Sequence, residues 1–254
     1  MEITVLGKSP AMPDAGGANS GYLVRQGDYT LLLDCGTGVF AQLRERCQPD
    51  QVDAVLITHM HADHMIDLLP YAHALAFVYK PQGNPPKLLM PPEAQPSLEQ
   101  LGEVFGIGYR VDQAFAAQQY DSEQVLELGP LTIRFQEVPH YIRAWACDFQ
   151  GPDGRRFTFG ADCAPNDALP QFAHETDLLM LEATEESVPD VVPDDIRGHM
   201  TAREAGELAR RAQARRVVLT HYSDLRDPET VRSEGEAGYG GPVELARAGV
   251  TFVV

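Results

Sequence analysis

Three histidines and an aspartate lie within six residues, in the order His59-x-His61-x-Asp63-His64. They follow an apolar run, 54–58, that is typical of a buried strand. Imidazole nitrogens and carboxylate oxygens bind Zn²⁺ at ~2.0–2.2 Å, and a catalytic zinc site has about three protein ligands and one open position. A sharp loop can point His59 and His61 at one metal while Asp63 and His64 face a second. The motif indicates a metal site; the plainer alternative is a polar loop in which Asp63 caps a helix.

Three further candidate ligands stand at the ends of predicted strands. Taken singly, each could be a structural residue, and a lone histidine is more often structural than a ligand. The metal loop changes this expectation, because its remaining ligands must converge on it from distant strands. The candidates are His140, Asp162 and His221, which follow the runs 131–138, 157–161 and 217–220.

Short apolar runs between glycine and proline residues predict the elements that must position these side chains. In both halves of the chain, predicted strands are followed by predicted helices, which favours two sheets packed together with helices outside. An internal repeat supports this, since the runs 55–59 and 217–221 both end in Thr-His. We expect one domain over 1–254, with related halves of about 1–125 and 126–254. The predicted strands are 3–6, 21–25, 30–34, 54–58, 87–90, 131–138, 144–149, 156–160, 178–182, 216–220 and 250–254, and the predicted helices are 39–46, 65–79, 97–105, 202–212 and 242–248.

The composition indicates a folded chain with a large core. Of 254 residues, 44% are apolar and 22% are charged, which excludes disorder. No apolar run approaches the ~18 residues needed to cross a bilayer, and the start of the chain reads as a strand rather than a signal peptide. Four cysteines without a C-x-x-C pair favour a reduced, cytoplasmic protein. The net charge of −17 gives no general attraction for nucleic acid.

The order of these ligands along nearly the whole chain resembles the metallo-β-lactamase superfamily. The resemblance implies an α/β (α+β) fold, a four-layer αββα sandwich of two mixed β-sheets with helices outside. It also implies two divalent metal ions at the edge of the sandwich, with zinc expected and manganese or iron as alternatives. Assigned by position, one metal would be bound by His59, His61 and His140 and the other by Asp63, His64 and His221, with Asp162 bridging them.

Four features resemble one branch of that superfamily, the ribonuclease Z and phosphodiesterase-like branch. They are Leu6-Gly7 with 19–22 and 33–36, Leu181-Glu182-Ala183-Thr184, Gly198-His199-Met200-Thr201, and 219–223. In that branch, a histidine at the position of His199 contacts the transferring phosphate or its leaving group, and a glutamate at the position of Glu182 orients this histidine. Asp63 would accept or orient the proton of the attacking water. The alternatives are a His199 exposed at a helix start and a Glu182 solvated at a strand end.

The resemblance implies a dinuclear metal-dependent hydrolase, a phosphodiesterase that acts on a small or nucleotide-type diester through a hydroxide bridging the metals. Binding of tRNA is not expected. Only 21 residues separate His140 from Asp162, which leaves no room for the tRNA-binding arm of ribonuclease Z, and the chain is strongly acidic. We expect a small anionic substrate, no membrane partner and, by analogy only, a homodimer.

Three other functions stay open at this point. The same scaffold could hydrolyse a lactone, a thioester or a β-lactam, and only Glu182, His199 and substrate trials would separate these activities. A non-catalytic metal-binding protein is a second alternative, although such a protein is expected to lose ligands. A redox role with iron is a third, but that branch resembles H-x-E-x-D-H, and His61 stands at its glutamate position. Whether Tyr222 and Ser223 take part in catalysis is also open.

Overall fold

The short apolar runs of the sequence form two mixed β-sheets. The computed structural model describes residues 1–79, 84–92, 94–106, 111, 113–188 and 197–254, and within these ranges each sheet has seven strands. The strands are β1 (Glu2–Gly7), β2 (Gly21–Gln26), β3 (Tyr29–Leu33), β4 (Ala54–Leu56), β5 (Lys87–Met90), β6 (Ala116–Gln119), β7 (Val125–Leu128), β8 (Leu131–Val138), β9 (Ala144–Gln150), β10 (Arg156–Phe159), β11 (Leu178–Glu182), β12 (Val217–Thr220), β13 (Glu244–Leu245) and β14 (Thr251–Val253). The first sheet has the order β14-β1-β2-β3-β4-β5-β6 and the second β13-β12-β11-β10-β9-β8-β7.

The two sheets pack face to face, and helices cover their outer faces. One buried cluster joins Val5 and Leu33 of the first sheet to Ile133 and Phe149 of the second. Each sheet also has a second buried cluster, which lies between that sheet and its helices. The helices are α1 (Val39–Arg44), α2 (Ala62–Met65), α3 (Leu68–Ala74), α4 (Ala94–Val104), α5 (Ala168–Phe172), α6 (Ala202–Arg211) and α7 (Pro228–Tyr239), with a π-helical turn (Leu75–Tyr79) after α3. The expected four-layer αββα sandwich is confirmed.

The strand directions bring the ends of several strands to one edge of each sheet. Strands β3, β4 and β5 are parallel in the first sheet, and β10, β11 and β12 are parallel in the second. Strand β8 is antiparallel to β9, which is antiparallel to β10, so β8 runs in the same direction as β10. In sheets of this kind, ligands bind outside the carboxyl ends of the strands. The residues that follow β4, β8, β10 and β12 lie at such ends.

Two features near the end of the chain differ from the sequence-based expectation. A helix was predicted over 242–248, but Glu244–Leu245 forms β13, which is parallel to β12. Helix α7 is not among the predicted helices, and its Gly235 and Gly238 lower helix propensity. The same glycines allow close packing, since a Cβ added at Gly206 of α6 would clash with the carbonyl oxygen of Gly235. Among the described residues, no helix has the length and apolar character to cross a membrane.

A capping box at Thr201 fixes the start of α6. Thr201 Oγ1 accepts a hydrogen bond from the backbone N–H of Glu204 at 3.2 Å, and the Glu204 carboxylate accepts one from the backbone N–H of Thr201 at 2.9 Å. Arg197 donates two hydrogen bonds of 2.9 Å to the same carboxylate. These contacts hold the segment 197–201, which carries His199, against the start of a helix.

Candidate metal centre

The chain leaves three strands through residues in the left-handed conformation. Asp34 after β3, Ala161 after β10 and His221 after β12 have φ values of 58°, 54° and 53°. This conformation costs a residue other than glycine about 1 kcal/mol or more, so the surrounding packing must hold it. Backbone strain of this kind is concentrated at functional sites, and these three residues are in, or directly beside, the groups described next.

His59, His61 and His140 form the first cluster, with one nitrogen of each within 4.8 Å of the others. His140 Nδ1 donates to the carbonyl oxygen of Gly198 at 2.6 Å, which leaves Nε2 without a proton, 3.0 Å from His61 Nδ1. His59 Nε2 is buried and has no hydrogen-bond partner among the described residues. A buried polar atom without a partner costs free energy unless a ligand or an ion satisfies it. The first cluster therefore fits a metal ion.

Burial keeps the imidazoles of the first cluster neutral. It lowers the pKa of His140 to about 4. Burial, together with the charge of His64, holds the pKa of His59 well below its ordinary value, and burial also lowers the pKa of His61. The neutral imidazole is the form that binds a metal, so these side chains are ready to act as ligands at neutral pH.

Asp63, His64, Asp162 and His221 form the second cluster. Asp162 Oδ2 lies 3.2 Å from His64 Nε2 and 3.4 Å from His221 Nε2, and Asp63 Oδ2 lies 3.4 Å from His221 Nε2. Asp162 Oδ2 is also 3.8 Å from His59 Nε2, so this carboxylate adjoins both clusters. Burial raises the pKa of Asp162, but the charges of His221 and His64 outweigh it and hold the pKa well below its ordinary value. The structure thus brings all seven predicted ligands together.

Two side chains behind the second cluster were not predicted as site residues. Asp34 is fully buried and accepts hydrogen bonds from His64 Nδ1 at 2.8 Å and from the N–H and hydroxyl of Thr58 at 2.8 and 3.0 Å. Thr184 Oγ1 lies 2.9 Å from His221 Nδ1. Contacts of this kind fix the tautomer and orientation of a metal-binding histidine. Both residues lie in motifs that resemble the branch, 33–36 and 181–184, but neither motif by itself indicated a contact with a metal-binding histidine.

His199 and Glu182 lie together beside the second cluster. Glu182 is buried at the end of β11, and its Oε1 accepts hydrogen bonds from His199 Nδ1 at 2.9 Å and from the backbone N–H of Cys163 at 2.8 Å. Burial lowers the pKa of His199, but the charge and hydrogen bond of Glu182 outweigh it and raise the pKa to about 9. Glu182 therefore favours the protonated form of His199, and Glu182 is not the solvated residue of the plainer alternative.

A cavity of about 260 Å³ opens beside the two clusters. Its described walls include His61, Asp63, Asp162, His199 and His221, and no lysine or arginine is among the described lining residues. Tyr222 and Ser223 are not among them either. The Tyr222 hydroxyl instead donates to the carbonyl oxygen of Ala246 at 2.8 Å.

Comparisons with known proteins identify the family of the chain. Residues 29–222 match the family model described as the beta-lactamase superfamily domain. The probable metallo-hydrolase YhfI of Bacillus subtilis is 30% identical over 256 residues, which cover 99% of each chain. A ribonuclease Z of Myxococcus xanthus is 29% identical and covers 99% of this chain and 97% of its own length.

Solved structures share the fold. The crystal structure of the metallo-beta-lactamase fold protein YhfI has a TM-score of 0.87 at 27% identity, covering 99% of this chain and 98% of that chain. A diphosphatase from the PhnP family has a TM-score of 0.76 at 18% identity, covering 100% of this chain and 97% of that chain. The predicted family is confirmed, and membership implies divalent metal ions, for which the histidines and aspartates of the two clusters provide ligands. This chain belongs to the metallo-β-lactamase superfamily of hydrolases.

Proposed function

We propose that the chain is a phosphodiesterase that cleaves small or nucleotide-type diesters with two divalent metal ions, zinc being expected. The observation that carries this proposal is the pair of clusters joined by Asp162, with His199 hydrogen-bonded to Glu182 beside them. When bound, divalent ions lower the pKa of a water molecule and stabilise negative charge on phosphoryl oxygens. The names of two similar proteins, a ribonuclease Z and a diphosphatase, support hydrolysis at phosphorus.

Seven side chains would hold the ions. The first cluster offers three neutral imidazoles, a ligand set that suits zinc and leaves one position open. The second cluster offers Asp63, His64 and His221. Asp162 would serve both ions, because the same oxygen lies 3.2 Å from His64 Nε2 and 3.8 Å from His59 Nε2.

His199 is placed to act as the general acid. Its Nδ1 is hydrogen-bonded to Glu182, so the proton available for transfer is on Nε2. A proton donated to the departing alkoxide oxygen contributes ~10²–10⁴ to the rate. Asp63 lines the same cavity, and its carboxylate would accept or orient the proton of the attacking water.

The charge of the site favours a diester over a monoester. The carboxyl groups of Asp34, Asp63, Asp162 and Glu182 lie in or beside the clusters, and two divalent ions would offset their four formal negative charges. Protonated His199 then adds one positive charge. A diester carries a single negative charge and matches this balance, whereas a monoester carries about −1.5 to −2 at pH 7. The described cavity walls offer no lysine or arginine to balance the second charge.

Elemental analysis and substrate trials test this function. We expect about two metal ions per chain and faster hydrolysis of bis(p-nitrophenyl) phosphate than of p-nitrophenyl phosphate or any member of a lactone panel. His199→Ala should lower diester turnover ~10²–10⁴-fold with metal content retained. His174→Ala is the matched control, because His174 is half-exposed and lies outside both clusters. Preference for a lactone, thioester or β-lactam, or full diester turnover in His199→Ala, would contradict the proposal.

A further inference from the structure

We propose that Tyr141 is a binding platform for an aromatic ring of the substrate, so that the preferred substrates are phosphodiesters that carry a nucleobase or a comparable ring. This inference rests on the proposed phosphodiesterase function and names the class of diester. Tyr141 directly follows His140, a candidate ligand of the first cluster. Its ring centroid lies 5.2 Å from that of His140 and 5.6 Å from that of His199. A group bound on the Tyr141 ring would therefore adjoin both a metal ligand and the proposed acid.

The Tyr141 ring is held in place by the backbone of Gly198. A Cβ added at Gly198 would lie 2.5, 2.6 and 2.8 Å from three ring atoms of Tyr141, so any side chain there would displace the ring. The carbonyl oxygen of the same glycine accepts the hydrogen bond of His140 Nδ1. The ring is thus packed against a segment that is itself fixed to the metal centre. A positioned ring binds a partner with little loss of conformational entropy.

The Tyr141 side chain nonetheless remains open on its other side. The residue is 56% exposed, and its neighbour Ile142 is 37% exposed. The two residues line a groove of about 520 Å³, formed by residues 137–143, which also includes His140. A large aromatic side chain left exposed beside a reaction site is typical of a surface that a ligand covers.

The chemistry of the groove selects a ring rather than a second charged group. Arg143, its cationic residue, donates from Nε to Glu137 at 2.8 Å and lies 5.3 Å over the ring of Trp145. That guanidinium charge is therefore already balanced. Of the other lining residues, Pro139, Tyr141 and Ile142 contribute apolar or aromatic faces, on which a base can stack irrespective of its hydrogen-bonding edge. The ligand class that fits is an uncharged aromatic group attached to the phosphate bound at the metal centre.

Binding of two product-like ligands tests the platform without chemistry. Calorimetric titration of the metal-loaded protein should show thymidine 5′-monophosphate binding about tenfold or more tightly than methyl phosphate, in line with the contribution of one stacked base. Tyr141→Ala should abolish this preference by weakening only the thymidine ligand, and Tyr141→Phe should retain it. Bis(p-nitrophenyl) phosphate should show the same pattern, with KM raised about tenfold in Tyr141→Ala and kcat within about twofold of wild type.

Several results would overturn the platform. For the wild-type protein, these results are equal affinity for the two ligands or no binding of either ligand. For Tyr141→Ala, they are an unchanged preference or an equal loss of affinity for both ligands. A matching thermal unfolding midpoint shows that Tyr141→Ala is folded, as expected for an exposed side chain. The two proposals fail separately: absence of diester hydrolysis by the wild-type protein removes the proposed function, whereas the ligand preference decides the role of Tyr141.

Discussion

Replacing Asp34 by asparagine should weaken metal binding at the second cluster and leave the first cluster unchanged. The Asp34 carboxylate accepts hydrogen bonds from His64 Nδ1 and from the N–H and hydroxyl of Thr58. Asparagine has nearly the same shape and tolerates the φ of 58° at this position. Its oxygen can still accept from the Thr58 N–H, but its NH₂ group then faces His64. His64 must accept at Nδ1 and carry its proton on Nε2, the atom that faces the second cluster.

The expected loss of metal affinity follows from the hydrogen bond between Asp34 and His64. Loss of a hydrogen-bond partner behind a metal-binding histidine costs ~10–100-fold in metal affinity. Since a tenfold change corresponds to about 1.4 kcal/mol, the expected loss is about 1.4–2.7 kcal/mol for one of the two ions. The described hydrogen bonds of the Asp34 carboxylate go to His64 and Thr58, and none goes directly to an imidazole of the first cluster.

Competition with a chromogenic zinc chelator measures this effect. Two binding steps are expected for the wild-type protein, and one of them should weaken ~10–100-fold in Asp34→Asn. Asp53→Asn is the matched control, because Asp53 accepts a backbone hydrogen bond from Thr30 at 2.8 Å outside both clusters. Unchanged affinity for both ions in folded Asp34→Asn, or equal weakening of both, would refute the reasoning.

Three other substitutions have expected outcomes. Glu182→Gln removes the negative charge that raises the pKa of His199 to about 9, so the alkaline limb of kcat against pH should move to lower pH. Thr201→Ala removes the N-cap of α6 and should lower the free energy of unfolding by ~0.5–2 kcal/mol in urea titrations. Gly36→Ala places a Cβ against the carbonyl oxygen of Asp63 and should lower the free energy of unfolding by ~1–3 kcal/mol, measured as a lower thermal midpoint.

Matched controls separate these effects from general damage. An unmoved alkaline limb in Glu182→Gln, or the same shift in its control, would show that another group sets that limb. Gly36→Ala and Thr201→Ala should each lower the free energy of unfolding more than their control substitutions do. The control for Glu182→Gln is Glu244→Gln, which alters a surface carboxylate paired with Arg216. The control for Thr201→Ala is Thr132→Ala, which alters a strand hydroxyl bonded to Glu127. The control for Gly36→Ala is Gly241→Ala, whose Cβ would meet the Tyr239 ring at 3.2 and 3.4 Å.

Much of the candidate site could be predicted from the sequence, because its residue types follow a simple rule of position. His140, Asp162 and His221 each come within a few residues of a strand end, and parallel strands bring such ends to one edge. The rule also applies to Asp34, but that carboxylate stands 25 residues before the metal loop, and no nearby histidine marks it. Thr184 lies in the 181–184 motif, but its contact with His221 could not be predicted, since that contact depends on the spacing between β11 and β12.

Two of the elements that were not predicted, β13 and α7, depend on tertiary contacts. Strand β13 has two residues and forms because β12 offers it a parallel edge, with the pairing Leu219↔Leu245. Helix α7 contains residues of low helix propensity, but its start is marked by Asp227, whose side chain accepts from the backbone N–H of Thr230, and by Pro228. The close approach of α6 to α7 explains why glycines are needed where helix formers would be expected.

Anomalous diffraction at the zinc edge, from crystals of the zinc-loaded protein, tests the metal centre most directly. Two peaks about 3.5–4 Å apart are predicted, one next to His59 Nε2 and one next to Asp63, with Asp162 contacting both. A single peak, or peaks that lie away from these side chains, would contradict the dinuclear centre on which the proposed chemistry depends.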